Sequence, residues 1–342
     1  MIHNYNDIIS LENLYLAWRV FVQGKKNKKD VTKFSLNLAD NIYGLHSDLK
    51  NKTYAHGSYQ AFNIADPKPR NIHKATVRDR LLHHAIYRIL YYHFNSKFIY
   101  DSYSCRLSKG THKAIKRFEI FARKVSSNNT KTCWVLKCDV RKFFASIDQS
   151  ILIAILQKHE AEPDIRWLLN QVIGSFHSTK LGLGLPLGNL TSQLLVNIYM
   201  NEFDQFVKHK LKVKYYIRYA DDFVIMSTDK KYLENTLLEI NGFLQSYLKL
   251  NLHPEKVYIK TLASGVDFLG WVNFPNHRVL RTATKRRMFK RIKEMNGKQE
   301  TVQSYLGLFS HGNNFKLQEK VKKFFRNCVV ENCYPSYIWL VA

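Results

Sequence analysis

Apolar side chains recur along this chain first at helical and then at strand spacings, with polar breaks between. Ser10 to Phe21 carries Leu11, Leu14, Leu16 and Trp18 at a helical period, and a second amphipathic run spans Phe34 to Leu49. From Gln60 to Ile72 the pattern shortens to alternating pieces around Pro67 and Pro69, as in a β-hairpin with a mobile turn. Helices are expected at Arg78 to Phe94, Thr111 to Val125, Ile151 to His159, Asp164 to Ile173, Thr191 to Phe206, Tyr232 to Leu248 and from Thr284 onward. Strand-like runs fall at Trp134 to Val140, Tyr215 to Ile217, Phe223 to Met226, Val257 to Lys260 and Phe268 to Val272. The layout is α+β, with no internal repeat and a helical C-terminal part beginning near residue 281.

Within this pattern two adjacent acids, Asp221 and Asp222, stand between apolar strand runs. Two such acids alone would fit a solvated hairpin turn. A third acid, Asp139, ends another strand-like run upstream. Carboxylates gathered on neighbouring strands repel one another unless divalent cations with a taste for hard oxygen ligands neutralise them. Three of them suit two-metal phosphoryl transfer, in which one ion activates a 3′-hydroxyl and the other steadies the departing pyrophosphate.

Composition narrows the partners. The chain has 342 residues, 45% apolar and 13% aromatic, which excludes a disordered chain. Lys and Arg number 53 against 27 acids, a net charge of +26, and residues 281 to 342 alone hold 13 Lys or Arg against 4 acids. Such an excess favours a polyanion partner over a small acidic substrate. Another basic cluster runs from Lys25 to Lys29. Five cysteines without a Cys-x-x-Cys pair indicate neither a disulfide framework nor a zinc site, and fit a reducing cytoplasm. No apolar stretch of about 18 residues appears and Met1 to Asp7 is polar, so neither a membrane span nor a signal peptide is expected.

The order of these blocks carries a resemblance. Strand-Asp139, then the Gly-rich Leu185-Pro186-Leu187-Gly188-Asn189-Leu190-Thr191-Ser192-Gln193 opening a helix, then Tyr219-Ala220-Asp221-Asp222, is similar to reverse transcriptases over about residues 10 to 325. The resemblance implies a right-hand polymerase: an N-terminal helical extension over 1–60, fingers over 61–137 with parts of 150–190, palm over 138–280 and thumb over 281–342. It implies two Mg²⁺ ions, with Mn²⁺ as a substitute, held by Asp139, Val140, Asp221 and Asp222, the three acids being catalytic. Asp66-Pro67-Lys68-Pro69-Arg70 and Arg78 resemble motifs that hold the incoming deoxynucleoside triphosphate, where cations bind and neutralise the leaving group. Arg80, beside Asp79, reads equally well as an ion-pair partner and is left out of that set.

Phe144, five residues after Asp139, stands where this family places a bulky side chain beneath the sugar, which excludes a 2′-hydroxyl; one of Phe143 and Phe144 is expected in the core. Gly188 and Gln193 belong to the nucleotide site by the same resemblance. Leu187 stands where most reverse transcriptases have Gln, and the following Gly-Asn-Leu-Thr-Ser-Gln resembles the enzymes of diversity-generating retroelements. An aliphatic side chain cannot hydrogen-bond near the sugar, so mispairs should be rejected less sharply. Lys256 in Leu252-His253-Pro254-Glu255-Lys256 resembles the lysine that assists pyrophosphate departure as a general acid. Arg106, Phe268-Leu269-Gly270-Trp271 as a primer-grip hairpin, and Lys285, Arg286 and Arg287 are the expected primer and template contacts.

The implied function is error-prone cDNA synthesis from a template-repeat RNA, for targeted diversification of a protein. Template RNA, primer and cDNA, deoxynucleotides and a small basic helical accessory protein are the implied partners, in a prokaryotic or phage-encoded cytoplasmic setting. An intron, retron or phage-defence reverse transcriptase is the nearest alternative. A non-catalytic RNA-binding protein with a polymerase fold is another.

Overall fold

The computed structural model describes residues 4–65, 69–295, 298–309 and 311–323. Its chain forms two compact units. The first comprises residues 1–110, 137–225 and 234–258, and the second 111–136, 226–233 and 259–342.

In the first unit α1 (Tyr5–Ile9), α2 (Leu11–Phe21), α3 (Lys29–Leu36) and α4 (Leu38–Lys50) precede a hairpin of β1 (Gln60–Ile64) and β2 (Arg70–Lys74). The single helix expected over Phe34 to Leu49 is two, because Asn37 leaves helical geometry at φ −119° and ψ 48°. The first of them starts inside the lysine run, at Lys29. The long helix α5 (Val77–Asn95) is started by Thr76, whose side chain accepts from the Asp79 amide. Leu81, Leu82, Ala85, Ile86 and Leu90 of α5 are fully buried, and α1, α2 and α10 (Leu190–Gln205) pack on it. Helix α10 is buried on nearly every face, from Thr191 to Asp204, which is why its sequence lacks an amphipathic stripe.

Between these helices and the C-terminal region the chain runs through α6 (Thr111–Val125), β3 (Trp134–Asp139), α7 (Phe143–Ser146), α8 (Gln149–His159) and α9 (Pro163–Gly174). After α10 come β4 (Tyr216–Tyr219), β5 (Asp222–Ser227), α11 (Lys230–Tyr247) and β6 (Tyr258–Thr261). Four strands form one sheet in the order β4-β5-β3-β6, with β4 and β5 antiparallel and Tyr219 opposite Asp222. That register puts the turn at Ala220-Asp221.

The second unit holds a three-stranded antiparallel sheet of β7 (Val266–Phe268), β8 (Trp271–Asn273) and β9 (Arg278–Leu280), then α12 (Thr282–Glu294) and α13 (Gln299–Phe309). The strand expected over Phe268 to Val272 is interrupted at Leu269-Gly270, which makes the hairpin that the resemblance implied from Phe268 to Trp271. Leu269 and Gly270 both take positive φ, 52° and 88°, the conformation of a tight two-residue turn. The strand β9 was not expected, since three residues are too few to show a period. Ile115 of α6, Trp271, Leu280, Met288, Ile292, Val302 and Phe309 share this unit's core. No helix among the described residues is long and apolar enough to cross a membrane.

Candidate active site

The three acids arise from strand ends of the first unit. Val140, just past β3, donates its amide to the Asp221 carbonyl at 3.0 Å, and the Asp139 carbonyl accepts from the His253 amide at 2.7 Å. These bonds tie the end of β3 to the β4–β5 turn on one side and to the Pro254–Lys256 turn on the other. Ala220 makes the turn at φ 56°.

Burial and the negative charge of Asp139 hold the Asp221 carboxyl above the ordinary range. Burial pushes Asp222 up to about 7, against the pull of Lys137. The Lys137 ammonium lies 3.0 Å from Asp222 Oδ1, and that of Lys256 lies 2.8 Å from Asp139 Oδ1. The Asp222 contact is a charge pair off hydrogen-bond alignment, so this buried oxygen lacks a hydrogen-bond partner. Among the described residues no three His, Cys, Asp or Glu side chains converge closely enough to hold an ion. Lys137 and Lys256 neutralise two of the three acids.

In its chemistry, though not in its spacing, the donor set fits a divalent cation. Its oxygens are hard, one is unsatisfied, and two carboxyls are driven toward neutrality by burial and by neighbouring negative charge, both of which a cation would offset. Val140 has no donor for an ion except its backbone carbonyl.

Lys137 was not singled out from sequence, although the signal was there. It stands two residues before Asp139 in a strand, hence on the same face, and is only 6% exposed. A deeper support was also missed. Arg218 in β4 is fully buried, and donates from Nε to Asp204 Oδ1 at 2.8 Å and from Nη2 to Oδ2 at 2.6 Å. Its Nη1 donates to the Ala220 carbonyl at 3.1 Å, and its Nη2 to Ser102 Oγ at 3.1 Å. Tyr216 completes the cluster by donating to Asp204 Oδ1 at 2.7 Å. Arg218 thus clamps the catalytic-turn candidate to α10 and to the 101–104 loop.

The remaining candidates divide. Phe143 is in the core at 3% exposure, while Phe144 is half-buried and its carbonyl accepts from the Leu185 amide at 2.8 Å. Leu187 is half-buried; its carbonyl accepts from the His73 amide at 3.1 Å, which ties this loop to β2. Gly188 takes φ +107°, and a Cβ there would stand 2.9 Å from Ile72 Cγ2. Gln193 lies half-buried on the first turn of α10. Arg70 is exposed at the start of β2, and Lys68 lies outside the described residues. Arg78 is committed elsewhere, its Nη2 2.5 Å from Asp48 Oδ2.

Arg106 donates to Asn95 Oδ1 and to the carbonyls of Ile99 and Ser102 at 2.7 to 2.9 Å, which braces the loop that carries it. In the second unit Phe268 and Trp271 are buried at 0% and 2%, with Phe268 stacked on Phe118. Their side chains hold the hairpin together, and the Leu269-Gly270 turn is half-buried. On α12, Arg286 is exposed and Lys285 and Arg287 are half-buried.

The family model described as reverse transcriptase (RNA-dependent DNA polymerase) matches residues 64–272. The chain belongs to this family. Among curated relatives, Protein YkfC of Escherichia coli (strain K12) is 26% identical over 247 residues, 61% of this chain and 62% of YkfC. The Group II intron-encoded protein LtrA of Lactococcus lactis subsp. cremoris is 23% identical over 358 residues, 83% of this chain and 56% of LtrA. The Putative COX1/OXI3 intron 2 protein of Saccharomyces cerevisiae is 21% identical, covering 63% of this chain and 30% of that protein. The chain therefore spans less than two thirds of each of these relatives. Apo telomerase from Candida tropicalis, truncated from its C-terminal domain, superposes with a TM-score of 0.51 at 13% identity, over 67% of this chain and 55% of that one. The fold is that of a reverse-transcriptase-type polymerase, and the matched span includes all three acids, whereas Lys285, Arg286 and Arg287 lie beyond it.

Two predictions follow from the charges. Arg218→Met should cost about 3–5 kcal/mol in urea denaturation, because it strands Asp204 without its partner, and adding Asp204→Leu should restore most of that; a loss under about 1 kcal/mol would refute the clamp. For Asp222, a carboxyl raised in the folded state is most favourable below the unfolded value of about 3.9 and loses that advantage as pH rises through the folded value. In EDTA, the melting temperature should therefore fall between pH 4 and about 7. Asp222→Asn should flatten this fall, and an unchanged profile would remove the assignment.

Proposed function

We propose that this chain is an RNA-directed DNA polymerase that uses two divalent ions, Mg²⁺ by preference. The observation carrying the proposal is the set of three acids tied together at the end of β3 and the β4–β5 turn, with Asp222 Oδ1 unsatisfied, inside a family-matched span. Asp139, Asp221, Asp222 and the Val140 carbonyl would hold the metal. When bound, it supplies charge for a 3′-hydroxyl turned nucleophile and for the leaving pyrophosphate.

The protein's own groups do the rest. Lys256, released from Asp139 as the site fills, carries a proton on Nζ toward the departing pyrophosphate. Arg70 and Lys68 meet the triphosphate, and Phe144 closes the space a 2′-hydroxyl would need. Arg78 and Arg106 serve as braces in this reading. In this reading the chain divides by function into the 1–60 extension, fingers over 61–137 with parts of 150–190, palm over 138–280 and thumb over 281–342, and the α12 cations track the template–primer backbone.

The finer proposal is a diversity-generating retroelement enzyme that writes error-prone cDNA with a basic accessory protein on a shared RNA. It is supported by Leu187 and the Gly188 to Gln193 run. A group II intron reverse transcriptase is the second reading, favoured by the likeness to LtrA.

Primer extension on a defined RNA with Mg²⁺ and four deoxynucleotides tests both levels. We expect synthesis that Asp221→Asn reduces by a factor of about 10³ or more, ribonucleotide entry in Phe144→Ala, and errors opposite adenine that Leu187→Gln suppresses. Full activity in Asp221→Asn would refute the polymerase reading. Accurate copying of adenine by the unaltered protein would refute only the retroelement reading.

A further inference from the structure

From Asp204 in α10 the chain carries no further acid until Asp221, while Lys208, Lys210, Lys212 and Lys214 fall at alternate positions between them. Phe206–Lys210 winds into a π-helical turn, in which the Leu211 amide donates to the Phe206 carbonyl at 3.0 Å. Such turns are rare and recur at functional sites. Lys208 folds back, its Nζ donating to the Val213 carbonyl at 2.8 Å. Lys210 and Lys212 are exposed, and neither has a carboxylate partner among the described residues. Lys210 follows Phe206 by about one turn, so the two share a side.

Phe206 opens a stack of three rings in the first unit. It lies on Phe243 with ring centres 4.2 Å apart and planes at 13°, and Phe243 lies on Tyr247 at 5.0 Å and 19°. Phe243 and Tyr247 are four residues apart on α11, which is why their rings meet. Phe206 and Phe243 are half-buried, but Tyr247 is 68% exposed. The stack therefore ends on a ring whose outer face is open to solvent.

A flat face that extends an aromatic stack beside exposed ammonium groups suits a single nucleic-acid strand, whose bases stack on rings while its phosphates meet cations. A protein partner would call for an apolar patch reaching past the rings. Here Gln245, Ser246 and Lys249, all exposed, flank Tyr247. Nor does the segment between Glu239 and Glu255 hold an acid to oppose a phosphate. The 16 residues of α10 span about 24 Å and separate this surface from the Gly188 to Gln193 segment at the other end of the helix.

We propose that this surface binds an unpaired segment of the RNA outside the stretch being copied, with one base stacked on Tyr247 and its phosphates beside Lys210 and Lys212. The inference rests on the polymerase reading and adds to it a second RNA contact, about one helix length from the nucleotide segment.

The test uses the full chain with a saturating unlabelled RNA–DNA duplex to occupy the catalytic cleft, and a labelled unpaired RNA read by fluorescence anisotropy. Tyr247→Ala should weaken binding of the unpaired RNA about five- to a hundredfold, the range of base stacking on a protein side chain, and Tyr247→Trp should keep it. Lys210→Gln combined with Lys212→Gln should lower the salt slope of the logarithm of affinity by about 1.4, at about 0.7 for each phosphate contact on a single strand. All three residues are exposed, so these substitutions leave the fold intact. No binding of the unpaired RNA beside the duplex, or unchanged affinity in Tyr247→Ala, overturns the proposal and leaves the face to a protein partner. If Tyr247→Ala loses the RNA but the unaltered chain extends no primer, the polymerase reading fails and the surface stands.

Discussion

Mutual repulsion among Asp139, Asp221 and Asp222 is the constraint around which the first unit is built. Their strand ends are cross-bonded by backbone, from Val140 to Asp221 and from His253 to Asp139, so the acids cannot drift apart. Behind them the fully buried Arg218–Asp204 pair fixes the Ala220 carbonyl, and with it the turn that carries Asp221. A buried pair of this kind adds little net stability. Its value here is positional, because one guanidinium reaches Asp204, Ala220, Ser102 and Asn197 at once.

The same constraint explains the two lysines. In a chain of net charge +26 the acids have internal counter-ions at hand, and Lys137 and Lys256 occupy two of the three carboxylates. Lys137 is 7% exposed along its side chain and held in β3, whereas Lys256 is 41% exposed on a short turn. The second can leave at low cost while the first cannot. The Lys256–Asp139 pair is therefore the exchangeable one, and the Lys137–Asp222 pair is fixed.

Elements with a clear period were legible in the sequence. The helices α2, α5, α6 and α11 lie within a few residues of their expected bounds, and so does the Asp-Asp hairpin. The elements that escaped are set by a single residue or by a very short run: Asn37 splitting α3 from α4, and the three-residue β9. At the site the acids were readable because charge in an apolar strand is conspicuous. Arg218 and Asp204 were not, since their pairing crosses 14 residues and depends on the depth of α10. Arg78 and Arg106, expected at nucleotide and template, also have local acceptors that no spacing reveals.

The central claim is that the three acids form a divalent-cation site. Electron paramagnetic resonance of Mn²⁺ titrated into the unaltered protein and into Asp221→Asn counts bound ions directly. We predict saturable binding to the unaltered chain that the substitution removes. Equal binding by the two proteins would contradict the account.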